Sequence, residues 1–222
     1  MFEIICVTNR NLCQRDFLDQ MERVSRSGVS SVILREKDLS EAEYEMMAQK
    51  ILHICQKARI PCALHHFAHV AIRLGADRLH LPLGDLEKNP YLTKMSMIIG
   101  VSVHSVDQAL RAQSLGANYI TAGHIFETDC KKDIPGRGLD FLREVCSAVS
   151  IPVYAIGGIS KDNFMKIQET GAAGACIMSC LLYTSTGSGI DGIAVISAIF
   201  AHEDPTNSVQ QLLDLAGKVV VR

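Results

Sequence analysis

Basic residues do not outnumber acidic ones. Lys and Arg total 22 against 24 Asp and Glu, a formal net charge of −2, with an isoelectric point near 6.4. A generic nucleic-acid binder carries a clear excess of base, so that role is excluded. No apolar run approaches the roughly 18 residues of a membrane-spanning helix, so the reading is no membrane partner. The start, MFEIICVTNR, has no basic stretch leading into an apolar one. The expectation is therefore a cytoplasmic protein without a secretory signal. None of the eight cysteines (Cys6, Cys13, Cys55, Cys62, Cys130, Cys146, Cys176 and Cys180) forms a Cys-x-x-Cys, and several sit inside apolar runs. They read as reduced thiols rather than a disulfide set.

What is present is a large apolar share, 48% of 222 residues, enough to fill a sizeable core. Short apolar runs at 4–7, 31–34, 62–64, 78–81, 98–101, 119–122 and 153–156 alternate with longer amphipathic stretches. Continuous apolar runs of this length are how strands buried on both faces of a parallel sheet read. In the stretch 41–58, Tyr44, Met47, Ala48, Ile51, Leu52 and Cys55 recur at three- and four-residue steps, the period of a helix with one buried face. Gly28, Gly75, Gly116 and Gly171 each stand where a helix closes before a strand. Ser40 before Glu43 and Ser105 before Gln108 match the capping-box pattern, and Ser160 opens a further helix.

Alternating units predict a parallel sheet with helices outside, and eight of them close a single (β/α)8 TIM barrel. A doubly wound open sheet needs a glycine fingerprint after its first strand, and Val7-Thr8-Asn9-Arg10-Asn11 has none. The reading is one barrel domain over 1–222.

In a barrel, function gathers at the C-terminal ends of the strands. These ends carry Thr8-Asn9-Arg10, Arg35-Glu36-Lys37, His65-His66, Asp85, Ser102-Val103-His104, Gly123-His124, Lys131-Lys132, Gly157-Gly158 and Ser179. Cations, imidazoles and glycines dominate, which suits a small anionic substrate. Arg35 and Lys37 offer a planar fork and a point charge to phosphate or carboxylate, or form a solvated cluster at a strand end. Gly157-Gly158 lets backbone amides approach an anion at a helix start, where barrels often bind phosphate. His65, His66 and His69 lack an accompanying carboxylate or cysteine at ligand spacing, so no metal is assigned to them. His80, inside a strand, reads as a satisfied core histidine. The ring of His124, ending the sixth strand, is expected to point into the mouth, either as a proton-transfer group or as lining.

These strand-end motifs resemble the thiamine phosphate synthase/TenI family. The likeness runs from Val7 to about Leu181 and rests on Val7-Thr8-Asn9-Arg10, Leu34-Arg35-Glu36-Lys37-Asp38-Leu39, the run 74–81, Gly100-Val101-Ser102-Val103-His104-Ser105 and Ile156-Gly157-Gly158-Ile159. In the synthase, an Asn-Asp pair after strand three and an Asp after strand four serve the pyrimidine substrate and its Mg²⁺. Here the pair is His65-His66, and Asp85 matches the later aspartate. A hard cation that wants oxygen ligands is weakened by that loss. The synthase has Gly-Pro after strand six where this chain has Gly123-His124, and the run 123–132 is closest to the TenI branch, the thiazole tautomerases.

The resemblance therefore implies an isomerase: a thiazole tautomerase converting the exocyclic-alkene tautomer of carboxythiazole phosphate to the aromatic thiazole, without metal or other cofactor. His124 is the expected acid–base residue. His66, Ser102 and Met178 are expected to line the substrate, with Gly157, Gly158 and Ser179 at the phosphate and Arg35, Lys37 or Lys131 at the carboxylate. The first alternative is a thiamine phosphate synthase, coupling a hydroxymethylpyrimidine pyrophosphate with thiazole phosphate and needing Mg²⁺. The second is a regulatory homologue that keeps the pocket and has no chemistry. The partner in either enzyme is a small molecule; a homo-oligomer is compatible with both.

Two segments compete for the eighth strand. The stretch 171–179 lies at the expected distance after Gly158, and 189–200 repeats the same phrase. Between them, Cys180-Leu181-Leu182-Tyr183-Thr184-Ser185 is also an in-frame translation of a transposon end used in sequencing adapters. The segment 180–203 is read as anomalous, a joining artefact or a natural duplication. Connection length favours the first copy as the strand. A closing helix is expected over 204–215, with Pro205 in its first turn.

Overall fold

A computed structural model describes residues 2–13, 15–128 and 134–178, together with Thr206, Gln210 and Asp214. Eight strands form one closed parallel barrel: β1 Glu3–Val7, β2 Ser31–Leu34, β3 Cys62–His65, β4 Arg78–Pro82, β5 Ile98–Val103, β6 Tyr119–Gly123, β7 Val153–Ile156 and β8 Gly174–Met178. Each strand pairs in parallel with the next, and β8 pairs back onto β1 from Glu3↔Gly174 to Val7↔Met178. Among the described residues up to Met178, seven α-helices run over the outside: α1 Phe17–Arg26, α2 Glu41–Ala58, α3 Ala68–Arg73, α4 Leu83–Lys88, α5 Val106–Ser114, α6 Gly138–Ala148 and α7 Lys161–Gln168. The expected TIM barrel is what the chain forms, and the first of the two candidate segments closes it. The second copy, 189–200, lies outside the described residues, as does nearly all of 204–215. Of that stretch Thr206, Gln210 and Asp214 are described, each helical, and Gln210 Nε2 donates to Asp214 Oδ1 at 2.8 Å.

Local chemistry explains the element ends. Ser40 and Glu43 cap α2 reciprocally, as their spacing predicts. Ser105 accepts from the Gln108 amide at 3.1 Å, but the Gln108 side chain turns to the His104 amide at 2.7 Å, so only half of that box forms. Gly28, Gly75, Gly116 and Gly171 all have positive φ at the turns into β2, β4, β6 and β8.

The two-residue period of the strands splits the core in two. On the outer face Ile4, Cys6, Val32, Leu34, Leu64, Leu79, Val101 and Ile120 pack against the helices. On the inner face Ile5, Val7, Ile33, Ala63, Tyr119, Tyr154 and Cys176 fill the barrel floor. The same inward parity carries polar side chains toward the C-terminal mouth: His65, His80 and Thr121 are all buried there. Tyr44 of α2 ties the rim together from outside, donating to the Leu34 carbonyl at 2.7 Å and accepting from the His65 amide at 2.8 Å. The six described cysteines are free thiols. Among the described residues, no helix is long and apolar enough to cross a membrane.

Candidate active site

A cleft of about 290 Å³ opens at the mouth, lined by Glu36, Lys37, His65, His66, Phe67, Pro82 and Asp85. It lies over the C-terminal ends of β2, β3 and β4, so three consecutive strand-end motifs meet in one place. Lys37 is exposed on its wall, while Arg35 is half-buried. Burial lowers the Arg35 pKa, against the opposing pull of the neighbouring Glu36 carboxylate.

Glu36, between the two cations, is only 2% exposed. Its Oε1 accepts from the Thr8 hydroxyl at 2.6 Å, and both oxygens accept from the Arg10 amide at 3.1 and 3.0 Å. The Arg10 guanidinium adds a contact of 3.3 Å and then spans bidentately onto Asp38 at 2.6 and 2.8 Å. That fork holds the Asp38 carboxyl well below the usual carboxylate range. Thr8 also accepts from the Arg35 amide at 2.9 Å. The Arg35-Glu36-Lys37 loop is thus bolted to the end of β1. This role of Glu36 is invisible in the linear sequence, which shows only a carboxylate flanked by two cations.

The two adjacent histidines diverge. His65 ends β3 facing inward, and its ring stacks on His80 with centroids 5.8 Å apart. Burial, with like charge from His80, Arg35 and Lys37, pulls its pKa down to about 2. His66 takes positive φ (72°) and turns outward, its Nδ1 lying 2.9 Å from Asp85 Oδ2. His80, the expected core histidine, is satisfied on both nitrogens: Nδ1 lies 3.1 Å from the Tyr119 hydroxyl and Nε2 lies 2.9 Å from Ser102 Oγ. Burial pulls its pKa to about 3, so the ring is neutral at physiological pH. Ser102 is half-buried on the inner face of β5.

A divalent metal finds a poor set here. Among the described residues, Asp85 is the one carboxylate offered to the cleft with an oxygen beyond its bond to His66, and both Glu36 oxygens are engaged by Thr8 and Arg10. Among the described residues, no group of three or more His, Cys, Asp or Glu is arranged to hold a metal. A magnesium site built on oxygen ligands does not fit these residues.

The β6 and β7 ends form a second cluster. Contrary to expectation, the His124 ring is not presented to the cleft. It is 5% exposed, and its Nε2 donates to the Ile134 carbonyl at 3.1 Å, tying down the returning loop. His124 Nδ1 is buried without a partner among the described residues. Gly157 (φ 95°) and Gly158 (φ 65°) turn the chain toward α7 beneath this loop. A Cβ on Gly157 would collide with His124, and one on Gly158 with the carbonyls of Phe126 and Glu127, so both glycines are also required for packing. Their carbonyls accept from Phe126 N (3.1 Å) and Asn163 Nδ2 (2.9 Å). Lys131 and Ser179 lie outside the described residues, and of Met178 only the backbone, at the end of β8, is described.

The profile of a family described as thiamine monophosphate synthase, TMP-TENI, matches residues 4–181. A thiamine-phosphate synthase of Clostridium tetani is 34% identical over 209 residues, 93% of this chain and 91% of that protein. A thiamine-phosphate synthase of Clostridium acetobutylicum is 31% identical over 220 residues, covering 98% and 96%. Among solved structures, a thiamine phosphate pyrophosphorylase from Pyrococcus furiosus superposes with a TM-score of 0.77 at 25% identity, covering 99% of this chain and 97% of that one. These relatives are transferases by name, which overturns the isomerase expectation built on His124.

Proposed function

The chain belongs to the thiamine monophosphate synthase family, and from that membership we propose that it is a transferase coupling a pyrimidine-methyl pyrophosphate with a thiazole phosphate. The thiazole nitrogen forms a bond to the pyrimidine methylene carbon, the carbon–oxygen bond to pyrophosphate breaks, and thiamine phosphate and pyrophosphate leave. The observation that carries the reading is the end-to-end match, above 30% identity and above 90% coverage on both sides, to thiamine-phosphate synthases.

The cleft suits the leaving group. Arg35 and Lys37 approach from the loop that Glu36 bolts in place, and they meet the negative charge that grows on pyrophosphate as the bond breaks. Lys131 is a further cation for the same anions. His66 faces the pyrimidine ring, and Ser102 faces the pyrophosphate that this substrate carries. The turn at Gly157-Gly158, with Met178 at the end of β8 and Ser179 next in sequence, receives the thiazole phosphate. No step is routed through a metal, because the cleft's one available carboxylate does not make a magnesium site.

The test supplies both substrates to the purified protein, with and without Mg²⁺, and follows thiamine phosphate and pyrophosphate. Expected is stoichiometric formation of both products, with Lys37→Ala lowering kcat/KM by about 10- to 100-fold, the loss of one charge-assisted contact to the leaving group. Saturating substrates that yield neither product under either condition would overturn the reading.

A further inference from the structure

Four polar side chains stand on the inner faces of β4, β5 and β6 and touch in series. From the barrel floor upward they are Tyr119, His80, then Ser102 with Thr121 beside it. Tyr119 is 9% exposed, His80 2% and Thr121 1%; Ser102 is half-buried near the C-terminal end of β5, paired with Pro82, which lines the cleft at the mouth. The distances are 3.1 Å from Tyr119 Oη to His80 Nδ1, 2.9 Å from His80 Nε2 to Ser102 Oγ, and 3.2 Å from Thr121 Oγ1 to Ser102 Oγ. Thr121 Oγ1 is also 3.4 Å from His80 Nε2. The Tyr119 ring is seated against Gly100, where a Cβ would collide with the ring and its hydroxyl.

Proton counting gives these bonds one direction in which every buried group is satisfied. A neutral imidazole has one N–H and one lone pair. If the proton sat on Nδ1, it would point at the Tyr119 oxygen. The buried phenol proton would then have no acceptor among the described residues, a costly state. With the proton on Nε2, Tyr119 donates to Nδ1 and every buried group is satisfied. Nε2–H then donates to Ser102 Oγ. Thr121, which can no longer donate to Nε2, donates to Ser102 Oγ as well. Both lone pairs of Ser102 are taken, and its own proton is left to point into the mouth.

We propose that Tyr119, acting through His80, is a positioning residue that makes Ser102 an obligate hydrogen-bond donor to an anion in the mouth. The opposite tautomer would turn Ser102 into an acceptor aimed at the same anion, and so into a repulsive group. The inference rests on the proposed function only in taking the guest at the mouth to be a phosphate or pyrophosphate oxygen.

The experiment has two arms. Long-range proton–nitrogen NMR of uniformly labelled protein, with His80 assigned through a His80→Asn variant, reads the tautomer directly. Expected is a protonated Nε2 with an unprotonated Nδ1 at neutral pH. Inorganic pyrophosphate is then titrated, with and without MgCl₂, into wild type, Tyr119→Phe, Ser102→Ala and the double variant. Each single variant is expected to weaken binding by about tenfold, the loss of one hydrogen bond to a charged group. The double variant is expected to be no weaker than Ser102→Ala. Unchanged circular dichroism and thermal midpoint exclude a loss of fold in Tyr119→Phe.

A protonated Nδ1, a doubly protonated ring, wild-type affinity in Tyr119→Phe, additive losses, or a wild type that binds no pyrophosphate would each overturn the relay. A protein that makes no thiamine phosphate yet shows this tautomer and this cycle refutes the transferase reading alone.

Discussion

Glu36 is the side chain on which the anion-facing loop depends. A buried carboxylate with a hydroxyl, an amide and a guanidinium on it is stabilising only while all three remain. Glu36→Gln keeps the shape but presents an NH₂ group to donors, so it is expected to cost about 2–4 kcal/mol in urea unfolding. Activity should fall further than stability, because Arg35 and Lys37 lose their anchor. His65 and His80 give a second prediction. Both are neutral in the folded state down to pKa values of about 2 and about 3. Unfolded imidazoles titrate near 6.5, so below that pH the unfolded chain binds two protons that the folded chain does not. Stability is complete above about pH 6.5 and declines as pH falls below it, by about 1.4 kcal/mol per pH unit for each histidine. Urea midpoints taken between about pH 7.5 and pH 5, where carboxylates are still ionised, measure this slope. A folded His65→Asn variant should show about half of it.

Helix α2 is the best specified element in the chain. It has a reciprocal cap at Ser40 and Glu43, four buried positions at helical spacing, and Tyr44 reaching across to the rim. Its weak point is the far end, where Arg59 adopts φ 58° and ψ 35° without being glycine. A left-handed conformation costs an L-residue about 1 kcal/mol or more, partly offset by the greater freedom of an unfolded glycine. Arg59→Gly is therefore expected to raise stability by about 0.5–1 kcal/mol, read from the urea midpoint, with no change in activity. The strands were legible for a different reason. Burial on both faces makes each a continuous apolar run, and the inward parity of Ile5, Ile33 and Tyr119 follows from period two. The half-formed box at Ser105 was not legible, because the choice of Gln108 between two nearby amides depends on where His104 is held. His104 Nδ1 is held by the Gly123 carbonyl at 2.6 Å, on a neighbouring strand.

A closed barrel has as many strand positions as strands. Gly174–Met178 is bonded on one side to β1 and on the other to β7, so no edge remains for the repeat at 189–200. Ile177, 1% exposed, packs between β8 and the outer helices. Ile177→Asp is expected to abolish folding, whereas Ile196→Asp in the second copy should leave the cooperative transition in circular dichroism in place. A second copy that rescues the first variant would show that the two segments exchange.

Architecture and family were written in the chain itself. Alternating apolar runs and capped helices specify a barrel through local rules that operate within twenty residues, and the strand-end motifs carry the kinship. The contacts of single side chains were not written there in the same way. His124 ends the sixth strand, and its Nε2 meets a carbonyl ten residues on. Glu36 looked like one charge among three and proved to be the bolt under the other two. Hydrogen-bond partners come from different strands, 28 residues apart for Glu36 and Thr8 and 39 for His80 and Tyr119. Linear spacing holds no record of such pairs. Closing the barrel brings them together, and burial then decides which proton each one keeps.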